Sequence, residues 1–290
     1  PFYGRNHLVV GFDVSHLFKT DSDSGQLISN NGQIKFELLD KKSPIGFLQQ
    51  ATFINSEIFP TPDKSNIVRV AGQISETSFL FLGASWKTKL LRLAEETGAP
   101  IQKSARILDW GCGCGRISRH FLYAGFSGLS GVDIDPVNID WANENLAESF
   151  QVVDTSPPSE FSEGEFDAIY GHSVFTHLTE DAQFEWIHEI KRLLKTGGRA
   201  YVTINSDRGA DISKSRPGAE ATEVAEIVRE KGIADFGHLD VGVDAGTPGY
   251  YRMTSHSHEY IAREWSQILH VHGIFEFFAD HQDMVILEKI

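Results

Sequence analysis

The rhythm of apolar and polar positions changes near residue 104. Beyond it, short apolar runs alternate with longer stretches whose apolar residues recur every three to four positions. ARILDWG (105–111), LSGVDI (129–134), FQVVD (150–154), EFDAIYGHS (165–173) and RAYVTIN (199–205) read as strands. Residues 114–124, 136–150 and 179–198 read as helices between them. Pro136 opens the second in its first turn, Thr179 caps the third, and Gly197 ends it. This alternation predicts right-handed crossovers and a mostly parallel sheet. Residues 206–256 break the rhythm and are too long for a plain loop. They are expected to form an insertion with its own structure, including a helix at 217–232. A helix at 257–273 follows. Strands at 274–280 and 283–290 then read as an antiparallel pair.

Before residue 78 the pattern differs. Short apolar or alternating runs at 8–14, 33–40, 46–54 and 66–74 are separated by turn-rich clusters, which predicts a β-rich region. Residues 78–98 carry a helical pattern ending at Gly98. The expected organisation is a β-rich region over 1–77, a helical linker over 78–103, and an α/β domain over 104–290. That domain is a doubly wound, seven-stranded, mostly parallel sheet ending in an antiparallel hairpin.

Composition narrows the function classes. The 290 residues carry a formal charge of −14, and between His120 and Ile190 there are 14 Asp or Glu and no Lys or Arg. Such a segment repels phosphates, so a nucleic-acid partner is not expected. No apolar run reaches the ~18 residues of a membrane span, and the opening residues lack the basic-then-apolar layout of a signal peptide. With only Cys112 and Cys114 there is no disulfide framework, which fits a reducing compartment and a cytoplasmic location.

The chemistry-bearing segment is Ile107-Leu108-Asp109-Trp110-Gly111-Cys112-Gly113-Cys114-Gly115-Arg116. A strand runs into glycines and then a helix, where backbone can approach a ligand. A second strand ends in Asp133, placed to accept hydrogen bonds from ribose hydroxyls. Nicotinamide sites use GxGxxG around a pyrophosphate. Here the spacing is GxGxG, and Asp109 precedes the first glycine by two residues. A carboxylate there repels pyrophosphate and suits an ammonium or sulfonium, which favours S-adenosylmethionine.

With these residues in view, 104–290 resembles a class I S-adenosylmethionine-dependent methyltransferase. Asp109–Gly115 matches that family's glycine motif and Asp133 its ribose-binding acid. LLKTGGRAYVTI (193–204) resembles its helix-turn-strand signature, with Thr196 where Pro is usual. SVFTHL (173–178) and HQD (281–283) resemble a bacterial subgroup often associated with glycans. The resemblance implies that Gly111, Cys112, Gly113 and Gly115 line the methionine part of the cofactor and that Asp109 holds its ammonium. It implies that Asp133 takes the ribose, Ile134 lies against the adenine, Asp154 and Thr155 lie near the adenine edge, and Gly171 and His172 lie near the sulfonium.

Methyl transfer to a neutral hydroxyl benefits from a general base, and histidine has a suitable pKa. His172, His177, His256 and His258 are the candidates, with His172 and His177 at the crevice where open α/β sheets bind ligands. The two cysteines read as small side chains filling the loop, and no metal site is expected. The acceptor is expected to be a small molecule or glycan. N-methylation, a nicotinamide oxidoreductase and a non-catalytic cofactor-binding scaffold are the alternatives. Oligomeric state is not legible.

Overall fold

The computed structural model describes residues 18–20, 26–29, 35–37, 59–72, 74–206, 221–236, 251–279 and 282–290. The strands expected at 8–14 and 46–54 lie outside the described residues, as do 207–220 and 237–250 of the insertion. Residues Pro1–Phe53 and Ile54–Ile290 form two compact units. The first contains β1 (Phe18–Thr20), β2 (Gln26–Ser29) and β3 (Lys35–Glu37), an antiparallel sheet in that order.

The second unit opens with two helices. Residues 66–74, expected as a strand, instead form α1 (Lys64–Ala71). Asp63 caps it by accepting the Asn66 N–H at 3.0 Å. Val68 and Val70 gave the run an alternating look. However, Ile67, Val70, Ala71 and Ile74, which are three or four apart, face the cluster around buried Phe79 and Cys114. Helix α2 (Glu76–Glu96) packs its buried Trp86, Leu90, Leu93 and Ala94 against the sheet.

Strands and helices then alternate as expected: β4 (Ile107–Trp110), α3 (Ser118–Tyr123), β5 (Leu129–Asp133), α4 (Pro136–Asn145), β6 (Phe150–Val152), β7 (Phe166–Gly171), α5 (Glu180–Leu193) and β8 (Leu194–Ser206). The insertion contributes α6 (Ala221–Lys231) and β9 (Ile233–Phe236), and β10 (Met253–His256) follows. Helix α7 (His258–Glu264) precedes the hairpin of β11 (His270–Ala279) and β12 (Gln282–Glu288). The sheet order is β11-β12-β8-β7-β4-β5-β6. Strand β12 runs antiparallel to β8 and β11, while the neighbours from β8 to β6 are parallel. Strand β10 pairs parallel with β8 and antiparallel with β9, so the insertion extends the expected seven strands to nine.

The two faces of this sheet carry separate cores. One holds Trp110, Phe175, Trp186 and Trp265, with Trp110 centroids 5.0 Å from Phe175 and 5.2 Å from Trp186. The other holds Trp86, Phe121, Tyr170 and Tyr201. Tyr170 lies 5.1 Å from Trp86 and 5.3 Å from Phe121. Each such ring pair adds about 0.5–1.5 kcal/mol beyond burial. The chain steps outward one way through β4, β5 and β6 and the other way through β7 and β8. The crevice beyond β4 and β7 is therefore the switch point where such sheets bind ligands.

Candidate functional site

A cavity of about 790 Å³ opens at this crevice. Its size is in the ~300–1,000 Å³ range of small-molecule sites. The loop after β4 forms its floor. Gly111 has φ 78° and Gly113 has φ 53°, both in the left-handed region. A Cβ on Gly111 would lie 2.5 Å from Val174 Cγ2, and one on Gly113 would lie 2.5 Å from Val70 Cγ2. The glycines thus serve two purposes: they turn the chain, and they let neighbouring elements close on the loop. The Gly113 N–H donates to Asp133 Oδ2 at 2.7 Å, tying the loop to the end of β5.

Two carboxylates meet this floor, and both line the cavity. Asp109 is 2 % exposed and accepts hydrogen bonds from the Ser118 hydroxyl and, at 2.8 Å, from Tyr170 OH. Burial pushes its pKa up to about 7, against the opposing pull of these donors. Asp133 accepts from the N–H groups of Gly113 and, at 2.9 Å, Asp135. Burial pushes it up to about 6. Each gains from a ligand that brings positive charge or hydroxyl donors, and an anionic pyrophosphate would meet like charge. Cys112 lines the cavity, whereas Cys114 packs with Ile67 and Phe79. Burial pushes both thiols up, Cys114 to about 12, so neither is a resting thiolate.

The sequence reading missed one wall. Val68, Arg69 and Val70 of α1 line the cavity. Arg69 reaches Asp135 with two hydrogen bonds, Nε at 2.6 Å and Nη2 at 2.9 Å. Asp135 is also the N-cap of α4, accepting from the Val137 N–H and the Asn138 amide. Asn66 adds a bond to Asn138 Oδ1 at 3.0 Å. No local signal reveals this contact, because Arg69 and Asp135 lie 66 residues apart.

The opposite wall comes from β7, β8, β10 and β12. His172, Ser173, Thr176, His177, Asn205, Tyr251, Met253 and Gln282 line it. His177 Nδ1 lies 2.8 Å from the Arg252 carbonyl oxygen. A carbonyl only accepts, so Nδ1 carries a proton. The Arg252 N–H returns a 2.9 Å bond to His177 O. Tyr251 sets its ring 5.4 Å from that of His177. The insertion's last segment is thus fastened to the turn after β7.

Of the residues singled out in the sequence, Asp109, Gly111, Cys112, Gly113, Asp133, Ile134, His172 and His177 all line the cavity. Gly115, Asp154, Thr155, Gly171 and His256 are not among the lining residues. Gly115 packs toward Leu146 and Gly171 toward Trp110. Asp154 is exposed, and the Thr155 carbonyl accepts from Trp186 Nε1 at 3.2 Å. Val153 lines the cavity in their place. His256 is fully buried, with Nε2 2.9 Å from Gln183 Oε1, and burial lowers it to about 3. It is a neutral structural ring. His258 pairs with buried Asp283 at 2.8 Å.

Residues 107–198 match the family model described as a methyltransferase domain. The chain is 29% identical over 120 residues to the chloroplastic tocopherol O-methyltransferase of Arabidopsis thaliana. That match covers 39% of this chain and 34% of the relative, about a third of its length. Among solved structures, the PH0226 protein from Pyrococcus horikoshii OT3 superposes with TM-score 0.50 at 14% identity, covering 82% of this chain and 97% of its own. A SAM-dependent methyltransferase from Methanosarcina mazei gives TM-score 0.45 at 20% identity, covering 66% and 94%. Among the described residues, no helix is long and apolar enough to cross a membrane.

Proposed function

We propose that the chain is an S-adenosylmethionine-dependent methyltransferase acting on a hydroxyl of a small molecule or glycan. The observation that carries this reading is the pair of buried carboxylates in one cavity, Asp109 at the glycine loop and Asp133 at the end of β5. A ligand with an ammonium, a sulfonium and ribose hydroxyls answers both, and the about 790 Å³ cavity accommodates it beside an acceptor.

When bound, the cofactor supplies an electrophilic methyl group for in-line displacement. The protein's part is alignment and proton handling. Asp133 holds the ribose. Asp109 holds the ammonium, directly or through water, and is itself oriented by Ser118 and Tyr170. The apolar side chains of Ile134 and Val153 offer a surface for the adenine. His177 is the base: Arg252 O fixes its tautomer so that Nε2 accepts the acceptor's proton. His172 lines the same cavity, its ring 5.6 Å from Trp86.

The test is His177→Ala assayed with radiolabelled S-adenosylmethionine, in parallel with S-adenosylhomocysteine binding. The expected result is unchanged binding and a turnover lower by about a hundredfold or more. Unaltered turnover would return His177 to a purely structural role.

A further inference from the structure

We propose that Ser173 and Gln282 form the acceptor subsite, and that it is built for a neutral, hydroxyl-bearing molecule. This rests on the methyltransferase reading above and adds the residues and the charge class of the acceptor.

Ser173 stands at φ 60°, the left-handed region that non-glycine residues avoid. Three contacts hold it there. Its N–H donates to Thr203 Oγ1 at 2.8 Å. Its hydroxyl donates to Gln282 Oε1 at 3.0 Å and accepts from Gln282 Nε2 at 2.8 Å. The segments SVFTHL and HQD, about a hundred residues apart in the chain, meet through this pair. A serine needing only to turn would be replaced at lower cost by glycine. Here the strained backbone aims a hydroxyl at a carboxamide on the cavity wall. After those bonds, Gln282 retains one amide hydrogen and one Oε1 lone pair. Asn205, beside them on the wall, gives one amide hydrogen to Thr254 O at 3.1 Å. Hydroxyl, two carboxamides and the His177 ring make a surface that both donates and accepts. This is the requirement for recognising a hydroxyl, which does both itself.

The charge class follows from how the lining divides. The charged lining residues are Arg69, Asp109, Arg116, Asp133 and Asp135, all on the cofactor half. From Asn138 onward, the described lining residues include no Lys, Arg, Asp or Glu. Among the described residues a fixed charge on the acceptor would find no ionic partner there to offset its desolvation.

The experiment uses the full chain and tritiated S-adenosylmethionine. The acceptors are neutral hydroxylic compounds (glycerol, methyl α-glucoside, phenol, catechol) and their charged counterparts (glycerol phosphate, glucuronate, 4-hydroxybenzoate). S-adenosylhomocysteine binding is measured alongside. The expected result is transfer to at least one neutral compound, with its charged counterpart poorer in kcat/KM by about tenfold or more. For that acceptor, Ser173→Gly and Gln282→Met each raise KM by about tenfold while cofactor-product affinity stays within about twofold. Ser173→Gly relieves the backbone, so it folds even if Gln282→Met does not. Equal use of the charged compounds, unchanged KM in Ser173→Gly, or no transfer by a protein that binds S-adenosylhomocysteine would each overturn the proposal and leave the cofactor reading standing. Failure to bind S-adenosylhomocysteine would overturn the reading beneath it.

Discussion

Asp133 ends β5 and Asp109 lies one residue before the end of the adjacent β4, and in the proposed function they divide the work of holding a cationic nucleoside. Asp133→Ala removes an anionic acceptor from the ribose and is expected to cost about 1.5–3 kcal/mol of cofactor affinity. Calorimetry with S-adenosylhomocysteine measures it, and an unchanged Kd would displace the ribose from this residue. The protonation of the two acids makes a second prediction. Their folded values, about 7 and about 6, lie above the ordinary aspartate value of 3.8. The folded protein keeps these protons where the unfolded chain has lost them. Both acids therefore stabilise the ligand-free fold at low pH, and that contribution fades as pH rises from about 4 to about 7. An ammonium needs the ionised form of Asp109, so S-adenosylhomocysteine affinity should rise between about pH 6 and about pH 8. Asp109→Asn should weaken binding and flatten that slope. A slope that survives the substitution would assign the titration to another group. Both acids were legible in the sequence because each ends an apolar strand at a set distance from the glycines. Asp154 and Thr155 follow β6 by the same logic, but it is the preceding residue, Val153, that lines the cavity, while the Thr155 carbonyl accepts from Trp186 Nε1. One residue of register decides this, and local sequence does not encode it. His256 failed as a base for a different reason: burial keeps its ring neutral and joins it to Gln183.

At the scale of elements, α1 is the part the sequence hid. Its apolar positions fit either period, and only the Asp63 cap and the packing of Ile67 and Val70 select the helix. The consequence is functional, because α1 walls the cavity and is held by Arg69 to Asp135. Arg69→Met leaves a 2 % exposed carboxylate without its cation and should destabilise the unit by about 1–3 kcal/mol. Hydrogen exchange across 64–71 should rise more than across β4 or β7. Equal protection in both would mean that the ion pair does not hold the helix. Gly113→Ala is expected to act through the same contact. It forces a Cβ to 2.5 Å from Val70 at φ 53°, so it should cost at least about 1–2 kcal/mol of stability, read as a lowered Tm. The strand-helix alternation after residue 104 was readable from the periods, but two helix ends were not: the helix expected to 198 stops at Leu193, and the one expected to 273 stops at Glu264, with β11 starting at His270. The pairing of β10 with β8 was not, since it joins segments about fifty residues apart.

Over the whole molecule, sheet order, charge and cavity agree. The sheet reverses its winding between β4 and β7. The acids gather on the β4–β5 side of that point, and the neutral hydrogen-bonding wall gathers on the β7–β8–β12 side. Fold class and the glycine-loop side of the cavity were legible because both rest on short-range patterns: strand, glycines, helix, acid. On the opposite wall SVFTHL and HQD stood out separately, but that Ser173 and Gln282 meet there beside Asn205 and Tyr251 was not legible, because the four lie far apart in the chain. The most direct measurement is calorimetric titration of the protein with S-adenosylmethionine, S-adenosylhomocysteine and NADH side by side. The account predicts that the two sulfur compounds bind at micromolar concentrations and that NADH, whose pyrophosphate would face Asp109, does not. NADH binding without the sulfur compounds would contradict it.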